Sequence, residues 1–235
     1  MTIFTPPMSL LQSKTLFHSA LSDEIDTSRT LTPKEAEKVF NFFKNCTLFR
    51  WQDANNDCED RANAICILLD HWKIPNYKGW VFSGYFLRRE NGSLTNNWNY
   101  HVASLLPVKE NEQMKYYIID PATSAELLTL EEWASAVTHT PFSYHFIKHG
   151  NQYIFPPKKI EKNNWYKRDK RNLRWTIQGV SGINGVSSVG KAQLCFKKNK
   201  VKLTEQRFNE LKKHRFNNNN ESFVEADISH EALLS

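Results

Sequence analysis

Pro75 divides two kinds of hydrophobic pattern, and that division constrains the fold more than any other feature of the chain. Before it, apolar residues recur at helical spacing; beyond it, aromatic and β-branched residues crowd into short runs. In "TLTPKEAEKVFNFFKNC", Thr32 suits an N-cap, Pro33 the first helical position and Glu35 the closing member of a capping box. Ala36, Val39, Phe40 and Phe43 then mark a buried stripe. "NDCEDRANAICILLDHW" predicts a second helix, capped by Asn56 or Asp57, with Ala62, Ile65, Cys66, Leu69 and Trp72 along one face. It must stop before Pro75.

The runs 79–89, 99–108 and 115–120 read as strands, and their short polar linkers predict antiparallel neighbours. "TLEEWASAV" is a further capped helix, with Thr129 and Glu132 at capping-box spacing. "YHFI" and "QYIF" suit a last hairpin around His149, Gly150 and Asn151. Helices followed by strands predict an α+β domain over 31–157, after a polar leader at 1–30. From 158 to 235 the chain turns basic, with 17 Lys and Arg against 8 Asp and Glu, and a Gly/Ser stretch near 179–190 predicts partial flexibility.

No apolar run is long enough to span a membrane, and the first residues lack the pattern of a signal peptide. The expectation is a cytoplasmic protein or one exported by a leaderless route, an effector being one such case. Cys46, Cys58, Cys66 and Cys195 form no CxxC pair and no zinc-ligand spacing, so free thiols are expected.

Cys58 stands at the first turn of its helix, where unpaired N–H groups and the macrodipole favour a thiolate. Asp57, Glu59 and Asp60 oppose that effect, so a cationic partner is needed, with Arg61 a minor contributor. His101, in "WNYHVASLL", lies in a strand that would hold an imidazole rigidly; His145 in "YHFI" is its rival. Asp120 closes the apolar strand "YYIID" before Pro121, where a carboxylate can accept an imidazole N–H. Each residue alone has an ordinary structural explanation, but the order Cys, His, Asp suits nucleophilic catalysis.

At these residues the chain resembles the protein glutaminase family, protein-glutamine deamidases with a papain-like and transglutaminase-like core. The matching residues are Cys58, Arg61 and Ala62 in "DCEDRANAI", Trp98 and Tyr100 to Ala103 in "WNYHVA", and Ile118 to Pro121 in "IIDP". The likeness covers about residues 45–157. It implies an α+β cysteine-hydrolase fold, with the nucleophile at a helix N-terminus packed on an antiparallel sheet. It also implies a catalytic Cys58, His101 and Asp120, a thioester intermediate, a glutamine-bearing protein or peptide as substrate, and no metal or organic cofactor. Asp57 replaces the glycine that precedes the family's cysteine, and the disulfides of its secreted members have no counterpart here.

Rival readings stay open at this point. The same triad serves a cysteine protease or a transglutaminase. The basic region 158–235, with Trp165, Tyr166 and Trp175 interleaved, suits a binding module for nucleic acid, anionic lipid or an acidic protein.

Overall fold

A computed structural model describes residues 22–52, 58–82, 100–138, 144–151, 170–182 and 191–213. The expected cap at Asn56 or Asp57, the second half of the 79–89 strand, Trp98, the strand "QYIF", and Trp165 and Tyr166 lie outside the described residues.

Helix α1 (Pro33–Asn45) carries the expected cap: Thr32 accepts from the Glu35 backbone, and the Glu35 carboxylate accepts from the Thr32 N–H at 2.8 Å. A 3-10 turn (Thr47–Phe49) follows, then α2 (Cys58–His71), so Cys58 is its first residue. Strands β1 (Tyr77–Phe82), β2 (Tyr100–Glu110), β3 (Gln113–Ile119), β4 (Leu128–Thr129) and β5 (Tyr144–His149) form one antiparallel sheet, in the order β4-β3-β2-β1-β5. Helix α3 (Leu130–Ala136) begins with a capping box between Thr129 and Glu132. Helices α4 (Lys170–Val180) and α5 (Lys191–Lys213) follow. The chain is therefore α+β, as its periodicity predicts.

Strand β2 outruns β1, whose ladder with it ends at Tyr77↔Leu105. Pro107, which has no N–H, sits past that end and so breaks no rung with β1. Its carbonyl accepts the Leu31 N–H at 3.0 Å, which ties the approach to α1 onto the sheet. Side chains alternate along β2. Val102 packs with Ala62 of α2, while Ala103 and Leu105 pack with Leu130 and Trp133 of α3. The sheet thus lies between α2 and α3.

The largest core joins α1, the 3-10 turn and α2 with Leu106, Val108 and Ile119 of the sheet. Phe43, Leu68 and Leu69 are fully buried in it, each contributing about 1.5–3 kcal/mol of apolar transfer. The sequence predicts one buried face on α2, but every residue from Asp60 to Leu69 is buried. Helix α4 supplies the reason: Ile177 and Val180 join the same core, and Phe208 of α5 packs beside them. Polar contacts accompany that docking. The Lys78 ammonium, fully buried, donates to Asn63 Oδ1 at 3.1 Å, and Asn63 Nδ2 donates to Thr176 Oγ1 of α4 at 2.9 Å. Burial drives the Lys78 pKa down to about 8, against the pull of nearby Cys66, Asp60, Glu59 and Asp70. Gly182 closes α4 with φ +68°, a conformation glycine adopts without strain, and Arg50 lies where a side chain would stand.

Gly179 marks a close approach between α4 and α2, since a Cβ there would lie 1.8 Å from Asp60 Oδ2. Gly179→Ala should therefore cost about 1–3 kcal/mol in urea unfolding through overpacking. A gain of about 1 kcal/mol, the usual result in an exposed helix, would contradict this packing of α4 on α2.

Candidate active site

The residues singled out by sequence come from three elements. Cys58 opens α2, His101 is the second residue of β2, and Asp120 directly follows β3. His101 and Asp120 are both buried and meet at 2.8 Å between Nε2 and Oδ2. His145, the rival, lies on β5 across β1, opposite Val81, which itself pairs with His101. Asp120 therefore selects His101 between the two.

Asp120 does more than face a histidine. Thr123 Oγ1 donates to the same Oδ2 at 2.6 Å, and Trp133 Nε1 at 2.9 Å. The backbone N–H groups of Thr123 and Ser124 close a turn onto the Asp120 carbonyl. Burial alone would raise the Asp120 pKa; the charge of His101 and the hydrogen bonds from His101, Thr123 and Trp133 outweigh it and hold the carboxyl below its ordinary value. An ionised carboxylate only accepts, so the imidazole proton in this pair sits on Nε2. The Trp133 indole also lies 5.5 Å from the His101 ring, tilted by 33°, and limits its rotation.

Cys58 reaches the same region from the other side of β2. The β2–β3 ladder ends at Ser104↔Ile119, and beyond it the Val102 N–H hydrogen-bonds the Cys58 sulfur, one residue from His101. The thiol donates to Glu59 Oε2 at 3.3 Å, and Tyr100 donates its hydroxyl to the other oxygen, Oε1. A helix start was expected to favour the thiolate. Instead burial, followed by the charge and hydrogen bond of Glu59, pushes the thiol pKa well up, while Val102 and Arg61 only partly oppose it. Arg61 lies over the Trp51 ring, 5.8 Å from its centroid.

Around these groups, Trp80, Phe82, Tyr100 and Phe146 stack into an aromatic wall. The other thiols do not join the site. Cys46 and Cys66 are buried and Cys195 is exposed, all four cysteines being free. Among the described residues no three His, Cys, Asp or Glu side chains gather as a metal site, and no helix is long and apolar enough to cross a membrane.

Residues 36–137 match a family model described as glutaminase, a span that contains Cys58, His101 and Asp120. Over that span the chain is similar to the glutaminase family. Two solved structures are similar to the chain at low identity. A crystal structure of protein-glutaminase is 19% identical with TM-score 0.48, covering 69% of this chain and 98% of its own. A mutant pro-protein-glutaminase is 20% identical with TM-score 0.49, covering 72% of this chain and 65% of its own. No curated protein matches the chain.

Three residues of the candidate site escape a sequence reading. Trp133 carries a signal, because an indole N–H that is buried needs an acceptor and Asp120 lies 13 residues before it. Thr123 follows Asp120 at a spacing that suits a turn. Glu59 is visible only as a neighbouring charge.

Replacing Trp133 isolates its hydrogen bond. Trp133→Phe keeps a ring beside His101 but removes one donor from Asp120, and should lower stability at pH 7 by about 1–3 kcal/mol. A depressed carboxyl pKa contributes stability above its unfolded value, and that contribution is lost as pH falls through the folded one. The gap between wild type and variant, measured by chemical unfolding, should thus narrow below about pH 4. A gap independent of pH would assign Trp133 to packing alone.

Proposed function

We propose that this chain deamidates glutamine side chains in proteins or peptides, with Cys58 as nucleophile, His101 as general base and acid, and Asp120 as the group that orients His101. The observation that carries this reading is the buried His101–Asp120 pair, one residue along β2 from the Val102 N–H that bonds Cys58, inside a glutaminase-family match. Because Asp120 occupies Nε2, Nδ1 is the nitrogen that takes the thiol proton. The thiolate attacks the carboxamide carbon, and the Cys58 backbone N–H, unpaired within α2, supports the oxyanion. As the C–N bond breaks, the imidazolium returns its proton to the departing ammonia and leaves a thioester. Water, deprotonated by the same nitrogen, attacks the thioester carbon; the products are glutamate and the restored thiol.

The proposed catalytic domain spans 31–157, with 158–235 as an extension whose α4 packs on α2. The excess of basic residues in that extension suits an acidic partner or an acidic substrate region. The product distinguishes this reaction from those of a protease or a transglutaminase: free ammonia with an intact, uncrosslinked chain.

Incubation with an unfolded glutamine-rich protein should release ammonia and add about one dalton per converted side chain. Cys58→Ala and His101→Ala should abolish both signals, and Asp120→Asn should slow turnover by about 10²–10⁴-fold. Peptide cleavage or cross-linked products would replace this reading with the protease or the transglutaminase.

A further inference from the structure

The contact between the nucleophile and Glu59 has no place in the reaction as written above. Its geometry is nevertheless well defined. The thiol donates to Glu59 Oε2 at 3.3 Å, and the Tyr100 hydroxyl holds Oε1 of the same carboxylate. Tyr100 is itself fixed, its ring stacked on Phe82 at 5.6 Å and set against Trp80 at 5.9 Å. Glu59 is thus steadied by β2 while it accepts from α2.

A thiol has one proton. While that proton points at Glu59, it does not point at an imidazole, so thiolate formation requires this contact to break. We propose that Glu59, positioned by Tyr100, is a lock that keeps the Cys58 nucleophile protonated in the empty site, and that the substrate carboxamide releases it. This rests on Cys58 being the nucleophile. The chemistry of the released state follows from the groups involved. A primary carboxamide brings N–H donors that a carboxylate accepts, so its amide nitrogen takes the thiol's place on Glu59. The carbonyl carbon then faces the sulfur, and the thiol proton passes to His101. An ester offers no such donor, and the lock therefore favours primary amides as well as silencing the empty enzyme.

The surroundings of the sulfur support a resting thiol. On α2 it meets Glu59 and, further off, Arg61, while the Asp60 carboxylate is turned toward Gly179 of α4. On β2 it meets Tyr100 and the Val102 N–H. Among the described residues of β1 and β5, the rings of Trp80, Phe82 and Phe146 belong to the apolar cluster against which Cys58 packs. Burial and Glu59 raise the thiol pKa, and burial together with the same carboxylate raises that of Tyr100. The cations present do not offset this.

Glu59 is a positioning residue in this account, and its test is a pH profile. The rate of Cys58 modification by methyl methanethiosulfonate, a small neutral reagent without an amide, is followed from pH 5 to 10. Peptide mass spectrometry separates Cys58 from the exposed Cys195. In wild type, Cys58 should react more slowly than Cys195 at pH 6. Glu59→Gln should move the Cys58 midpoint down by about one unit or more and raise its rate at pH 7 about tenfold.

An unchanged midpoint in a folded Glu59→Gln variant overturns the lock. So does a wild-type Cys58 that outpaces Cys195 at pH 6, a comparison that decides even where the variant fails to fold. Ammonia release measured alongside separates the two readings. A shifted midpoint with no ammonia from any substrate keeps the lock and removes the deamidase. Ammonia lost in Cys58→Ala, with the Glu59→Gln midpoint unmoved, keeps the deamidase and removes the lock.

Discussion

Three donors converge on one oxygen, Oδ2 of Asp120, and the rest of the site depends on that convergence. They arrive from separate parts of the chain: His101 from β2, Thr123 from the turn after β3, and Trp133 from α3. A buried carboxylate is costly unless it is hydrogen-bonded. Here the cost is met by groups whose positions are fixed independently, by the sheet register for His101 and by a capping box for the helix that carries Trp133. The imidazole is consequently oriented by the fold itself, and the proposed reaction draws on that preorganisation.

In the proposed reaction the carboxylates of Asp120 and Glu59 act in opposite senses. Asp120 accepts from His101, while Glu59 accepts from the Cys58 thiol and opposes its ionisation. A helix N-terminus contributes about 0.3–1 kcal/mol to a nearby anion. Burial and a full neighbouring charge shift a pKa by far more, up to several units in enclosed sites. That difference in size explains why position at the helix start does not decide the state of Cys58. On the proposed mechanism, a primed base stands near a restrained nucleophile.

Much of this was legible in the residues. The caps at Thr32 and Thr129 and the strands through Trp80, Val102 and Ile118 fall where spacing puts them. Asp120 does emerge at a strand end, and it takes the histidine that the sequence favours. The docking of α4 was not legible, because a basic segment in which a few apolar residues such as Ile177 and Val180 reach the core reads as solvated. Its consequence, a helix α2 buried on all sides, reverses the expectation of a one-faced helix. The roles of Trp133 and Glu59 were hidden for another reason: each depends on a partner in a different element, and periodicity reports only which face a residue occupies.

The most direct test of this account is the protonation pattern of one ring. Long-range proton–nitrogen NMR of ¹⁵N-histidine-labelled protein, with His101→Gln for assignment, reports which imidazole nitrogen carries the proton. At a pH where the ring is neutral, the account predicts a proton on Nε2, donated to Asp120, and a bare Nδ1 able to receive the thiol proton. A proton on Nδ1 would contradict it, since Asp120 would then not be holding the base in the form the proposed reaction requires.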